Sequence, residues 1–451
     1  MKKKTNIAII GTGYVGLVSA VCFAELGNKV IAYDKNKEKI KLLQKGKSPI
    51  YEPYLEKLIL KNQKKKRLFF AEDINQAVKP SSIIFICVGT PPLKNGEADL
   101  SAVEIVCREI AKNLNSYKLI VEKSTVPVQT GLWLERIIKI NQGRNVNFDI
   151  ASNPEFLREG SAIYDFFHPY RIVVGVKTKK AEELLFEIYQ PIIKGKFKCP
   201  IHPVRDRQKE KVPLIITDIN SAEIIKHASN SFLATKISFI NALADICEKT
   251  GANIKDVAYG MGLDKRIGRE FLNAGLGFGG FCFPKDLQAF MRMSEKHGYD
   301  FKLLKEVERI NEERISRAIE KLKNHLRILK RKTIGILGLS FKPNTDDIRF
   351  SPALKLIKKL LKQKVIIKAY DPKAMEKSKK ELPEIIYCRN PYEAAKNSDA
   401  LIICTEWQEF QKLNWRKIKK IMKQPFVLDA RNMLNKKTME KLGFEYQGFG
   451  A

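Results

Sequence analysis

Apolar residues fall along the chain in short solid blocks, separated by longer stretches with helical spacing. Asn6-Ile-Ala-Ile-Ile10 leads into Gly11-Thr-Gly-Tyr-Val-Gly16, then a helical pattern to about Gly27, then Lys29-Val-Ile-Ala-Tyr-Asp34. Solid blocks bounded by glycine and polar residues read as strands buried on both faces, and their alternation with helices predicts a parallel sheet. Further strands are expected at Ser82–Val88, Lys118–Lys123, Asp149–Ser152 and Arg171–Val176. From about Thr217 the spacing becomes helical: Ile224, Ile225, Ala228, Phe232 and Ile240 recur, Asp218 or Ser221 can cap, and Gly251 ends the run. Roughly 30 residues give a helix about 45 Å long. Asn253–Gly262 reads as a second helix and Lys302–Lys332 as a charged helical connector. The strand rhythm restarts at Thr333–Gly338 and continues at Val365–Tyr370, Glu384–Cys388, Leu401–Cys404 and Phe426–Leu428, with Ser351-Pro352 as a helix start.

The first glycine cluster stands in the strand–turn–helix–strand context that dinucleotide binding needs. Gly11 permits the tight turn, Gly13 lets backbone approach a pyrophosphate, and Gly16 lets helix pack on strand. The N–H groups of Tyr14, Val15 and Gly16 open the helix, whose positive end faces phosphate. Asp34 ends the second strand, where its carboxylate suits a ribose 2′-hydroxyl and repels a 2′-phosphate, so the expected cofactor is NAD. The later α/β segment shows the same rhythm without that fingerprint. The fold class is therefore α/β, two Rossmann-like doubly wound domains joined by a long central helix. The expected boundaries are 1–210, 211–315 and 316–451. In such sheets ligands lie outside the carboxyl ends of the strands, which places Thr90, Thr125, Glu155 and Glu159 on one rim.

A second glycine-rich run, Gly275-Leu-Gly-Phe-Gly-Gly-Phe-Cys-Phe-Pro-Lys-Asp286, is read as a loop around one thiol, Cys282. Its glycines free the backbone to approach a ligand or adopt positive φ. Lys285 and Asp286 follow the thiol closely, and a cation near a thiol favours the nucleophilic thiolate. Lys226 and Asn230 lie four apart on the central helix and share a face.

Composition changes this picture little. With 82 Lys plus Arg against 50 Asp plus Glu, the chain carries +32, but the lysines are spread along its whole length. No nucleic-acid-binding signature accompanies them, so a nucleic-acid partner is not expected, while an anionic small substrate is favoured. None of the eight cysteines forms a CxxC pair and the five histidines are scattered, so no metal site is expected. No 18-residue apolar run and no signal-peptide pattern appear, which points to the cytoplasm without a membrane span.

Six motifs occur in order: Gly11–Gly16, Glu122-Lys-Ser-Thr-Val-Pro127, Asn153-Pro-Glu-Phe-Leu-Arg-Glu-Gly160, Lys226-His-Ala-Ser-Asn230, Gly277–Asp286 and Phe341-Lys-Pro-Asn-Thr-Asp-Asp-Ile-Arg349. Together they resemble the UDP-glucose/GDP-mannose dehydrogenase family across essentially the whole chain. The Cys-Phe-Pro-Lys-Asp form resembles its UDP-glucose branch, with GDP-mannose or another UDP-hexose as the alternative substrate. The resemblance implies oxidation of the sugar 6-hydroxyl to a carboxylate with two NAD⁺ per sugar. Cys282 would capture the intermediate aldehyde and carry a thioester that water then cleaves. The same resemblance implies that Lys226 stabilises oxyanions, Asn230 positions the 6-oxygen, Asp286 and Thr125 order water, and Glu155 acts as acid or base. For the cofactor it implies Gly11, Gly13, Tyr14, Val15, Gly16, Asp34, Lys39, Thr90, Thr125, Glu159, Lys285 and Arg349. For the nucleotide sugar it implies the segment Glu155, Phe156, Leu157, Arg158 and Glu159, with Lys226 and Asn230. Asn273, Gly277, Phe278, Gly279, Phe341 and Lys342 complete that set, and Arg266 would reach the substrate of a neighbouring subunit in a homodimer built on the central helix. Three residues depart from the usual pattern: Phe281 where Ser is commoner, Asn273 where some members carry Lys, and Tyr170 where Asp is usual.

Overall fold

The structure, a computed structural model, describes residues 5–201 and 211–450. The expected boundary at residue 210 lies outside the described residues. Two compact units divide between Ala228 and Ser229, inside one continuous helix, Ile219–Thr250. That helix covers 32 residues and starts where expected, with Asp218 accepting the Ser221 N–H at 2.9 Å. Among the described residues no helix is long and apolar enough to cross a membrane.

The first unit carries β1 (Asn6–Ile10), β2 (Lys29–Tyr33), β3 (Leu68–Ala71), β4 (Ile83–Ile86), β5 (Lys118–Glu122), β6 (Phe148–Ser152), β7 (Ile172–Val176) and β8 (Leu214–Thr217). They form one sheet in the order β3-β2-β1-β4-β5-β6-β7-β8, parallel except where β7 runs against β6. Side chains of β1 alternate between two cores, Ile7 and Ile9 on one face and Ala8 and Ile10 on the other. Burial on both faces is why the block is solidly apolar. β3 and β8 escape the sequence pattern because each is short and follows a strongly basic stretch, and β8 lies where the helical run was expected to begin.

The second unit contains β9 (Thr333–Leu337), β10 (Ile366–Tyr370), β11 (Ile386–Tyr387), β12 (Ala400–Ile403), β13 (Phe426–Asp429) and β14 (Glu445–Gln447). Their order, β11-β10-β9-β12-β13-β14, repeats that of the first six strands of the other sheet. Of the glycine fingerprint, expected to be lost in this unit, the first glycine remains. Gly338 follows β9 as Gly11 follows β1, with φ of +95° against +99°. Its N–H reaches Tyr370 O at 2.8 Å, as that of Gly11 reaches Tyr33 O at 2.7 Å. An acid, Asp371, also follows β10 as Asp34 follows β2, but it is fully occupied. It accepts from Leu339 N, Ser340 N, Ser340 Oγ and Trp407 Nε1 at 2.7–3.2 Å, and its other oxygen caps Lys373 and Ala374. The first glycine survives because the turn needs positive φ; the ligand-facing positions have been filled by protein.

Candidate active site

In the first unit, the glycines behave as their spacing requires. A Cβ on Gly16 would lie 1.9 Å from Gly11 O, so helix and turn pack directly, whereas a Cβ on Gly13 would meet nothing within 4 Å. The approach to Gly13 is therefore open to a ligand. The helix Tyr14–Glu25 makes its first bond from Leu17 N–H to Gly13 O, so the N–H groups of Tyr14, Val15 and Gly16 precede the helical ladder. Asp34 accepts from Thr12 N and Oγ1, Asn36 N and Lys39 Nζ at 2.9–3.0 Å. Burial pushes its carboxyl up, but these bonds outweigh burial and hold it below the usual carboxylate range. Thr90 Oγ1 donates to Thr125 O at 2.8 Å, joining the loops after β4 and β5. An open glycine edge, a helix start and an ionised acid fit the pyrophosphate and ribose of NAD.

On the same rim, Glu155 is ion-paired with buried Lys123 at 2.9 Å and accepts the N–H groups of Phe156 and Leu157. Burial alone would push its carboxyl up; the Lys123 charge overrides it, and the group is held below its usual range. Lys123 is itself fixed by Asn153 Oδ1 at 3.1 Å and Tyr189 Oη at 3.4 Å. Phe156 lies between two cations, with Arg171 at 3.7 Å and Lys226 Nζ at 5.1 Å from its ring centre. Arg158 is turned onto Asp165, and Gly160 N–H is held by Glu52, which also receives the Tyr14 hydroxyl.

In the second unit the thiol is not in a loop. Cys282 is the first residue of a helix, Cys282–Lys296, and is exposed. Pro284 sits in the first helical turn, where a missing N–H costs nothing. The helix's positive end lies at the sulfur and favours negative charge there. Lys285 and Asp286 are one turn further on, both buried and ion-paired at 2.7 Å. Asp286 also accepts Asn230 Nδ2 at 2.6 Å, which fixes the amide of Asn230. Asn230 and Lys226 occupy successive turns of the long helix, one in each compact unit.

The glycines before the thiol serve packing more than ligand access. A Cβ on Gly275 would lie 2.5 Å from Ala430 O, on Gly277 2.5 Å from Asn311 Oδ1, on Gly279 2.4 Å from Phe350 O and on Gly280 2.6 Å from Phe341. Gly277 and Gly280 also have positive φ. Side chains then clamp the run: Asn241 receives Gly275 N–H, Asn311 pairs with both Phe278 N and O, and Arg431 donates to Gly277 O. Arg431 also donates to Cys404 O and Phe341 O. Asn273 lies on the rim of a recess of about 230 Å³ with Lys255, Arg269, Arg431 and Asn432. Lys342 stands 5.5 Å from the Phe341 ring. Arg266, 89% exposed at its side chain, pairs with Asp264 and projects into solvent.

Profiles of three domains of one family match consecutive parts of the chain. Its NAD binding domain matches residues 5–193, its central domain 220–313 and its UDP binding domain 335–436. The chain belongs to the UDP-glucose/GDP-mannose dehydrogenase family. It is an NAD-dependent oxidoreductase. A UDP-glucose 6-dehydrogenase of Bacillus subtilis (strain 168) is 46% identical, spanning 100% of this chain and 93% of its own length. A second, from Rickettsia felis, is 44% identical over 99% of this chain and 96% of its own. Among solved structures, a UDP-glucose dehydrogenase from the hyperthermophilic archaeon Pyrobaculum islandicum superposes with a TM-score of 0.90 at 37% identity, covering 99% of this chain and 98% of that one.

Against this family the sequence reading missed Lys123, Glu52, Asn241, Asn311 and Arg431, all of which hold a site segment rather than face a ligand. Lys123 carried a signal, since a lysine ending a buried strand needs an acid. The asparagines carried none, because their partners are backbone groups distant in sequence.

Proposed function

We propose that this enzyme oxidises the 6-hydroxyl of UDP-glucose to the carboxylate of UDP-glucuronate, consuming two NAD⁺ per sugar through a thioester on Cys282. The observation that carries the reading is an exposed thiol at a helix start, one turn before an aspartate that fixes Asn230. An enzyme that stopped at the aldehyde would have no use for the thiol, whereas a four-electron oxidation needs a covalent holder. The printed names of full-length relatives support UDP-glucose as the sugar nucleotide.

Bound NAD⁺ supplies the electron acceptor, seated on the Gly11–Gly16 turn with its ribose on Asp34. Cys282 adds to the aldehyde carbon and holds the sugar until hydrolysis. Lys226 and Asn230 offer an ammonium and an amide to the oxyanions that form. Asp286 keeps the Asn230 amide aimed, and Thr125 helps order the water. Glu155, kept ionised by Lys123, takes a proton from the water that cleaves the thioester. The recess beside Asn273 offers the cationic side chains of Lys255 and Arg269 to the diphosphate. The subunit pairs with a second copy through the long helix, where Phe232, Phe239 and Ile246 repeat every seven residues and stand exposed. Arg266 then serves the partner's substrate. A working thiol and the absence of a disulfide suit the cytoplasm.

The test is the ratio of NADH formed to sugar consumed, measured over a panel of nucleotide sugars. Two per UDP-glucose supports the proposal; one per sugar, or preference for GDP-mannose, overturns it.

A further inference from the structure

Phe281 directly precedes the thiol of Cys282, and its ring has a defined use. The Arg349 guanidinium lies 4.3 Å from the ring centre and Lys285 Nζ lies 5.6 Å from it. Arg349 is held from a second direction by Asp347, which accepts from Nε and Nη2 at 2.6–2.9 Å. Its own carbonyl receives the Gly280 N–H at 3.1 Å, tying its backbone to the residue preceding Phe281. A long side chain ordinarily loses rotamer entropy when it binds a ligand. Here an aromatic face and a two-point carboxylate remove that freedom beforehand, although the Arg349 side chain remains 48% exposed and able to meet a ligand.

We propose that Phe281 is a positioning residue for NAD: its ring pre-orders Arg349 as a cation for the cofactor. This rests on the reading that Arg349 touches the cofactor. A serine at 281 leaves backbone and thiol intact but removes the aromatic platform. An exposed cation–π contact is worth about 0.5–1 kcal/mol, or about two- to fivefold in affinity.

The experiment is calorimetric titration of NAD⁺ into the intact enzyme and its Phe281→Ser, Phe281→Tyr, Arg349→Ala and Phe281→Ser/Arg349→Ala variants, with UDP-glucose titrated as a control. Phe281→Ser is expected to weaken NAD⁺ by about two- to fivefold and leave UDP-glucose affinity within error, while Phe281→Tyr keeps wild-type affinity. In the Arg349→Ala background the serine should add nothing, since its effect passes through the arginine. If Arg349→Ala weakens NAD⁺ but Phe281→Ser does not, or if the two effects add, the positioning role is wrong. If Arg349→Ala itself leaves NAD⁺ unchanged, the underlying placement of the cofactor fails. Equal loss of both ligands in Phe281→Ser would mean a general structural role and overturns the proposal.

Discussion

The proposed reaction rests on single residues, two of which can be tested alone. Cys282→Ser should lower uronate formation by on the order of a thousandfold or more, because serine cannot carry the thioester. Undiminished uronate by product analysis would contradict the covalent route. Lys123 is paired with Glu155 and holds that buried carboxyl ionised. Lys123→Met leaves a buried carboxylate without its partner and should cost about 3–5 kcal/mol in denaturant unfolding. Adding Glu155→Leu should recover much of that loss, since the uncompensated charge goes too. A single variant as stable as wild type would show that the pair is not what anchors the rim. The candidate residues were legible because each sits in a motif; the residues that tune them were not, since Lys123 meets Glu155 only when β5 and β6 lie side by side.

At the scale of elements, the end of β5 and the start of the long helix carry a proton-sensitive pair. Glu122 is fully buried, accepts Ser124 N–H, and has an Oε2 that makes no hydrogen bond. Burial pushes it up to about 8, and burial likewise pushes Glu223 up to about 7 although Gln129 and Gly131 N–H donate to it. Both folded values exceed the ordinary 4.5, so the native state binds more protons than the unfolded state in between. Stability should therefore fall as pH rises from about 4.5 to about 8, and Glu122→Gln should flatten that slope. Thermal unfolding across this range checks it; a slope unchanged in the variant counts against Glu122. The solid strands and the long helix were readable because a two-sided core demands unbroken apolar blocks and a helix demands its own period. The start of the thiol helix was not. A proline and a glycine run look like loop from composition alone, but proline is accommodated in a first turn.

For the whole molecule, Phe232, Phe239 and Ile246 form an exposed apolar stripe at seven-residue spacing on the long helix. If the proposed pairing through the long helix holds, Phe239→Glu should shift sedimentation from dimer towards monomer, and activity should fall with it if Arg266 serves the partner. A variant that sediments as wild type would remove this stripe from the interface. Repetition of one strand order in both sheets was foreseeable from rhythm, but what each sheet does with its strand-end acid was not, because Trp407 reaches Asp371 from 36 residues away. That occupied acid bears on turnover. With the Trp407 indole on Asp371, the strand-end acid of the second sheet is committed to its own protein, and the proposed dinucleotide berth is the one on the first sheet. Under the proposed four-electron reaction the single berth on the first sheet must be vacated and taken again within each cycle. The sugar, moored to sulfur, waits through the exchange, so the slowest event can be the traffic of cofactor rather than the making or breaking of any bond.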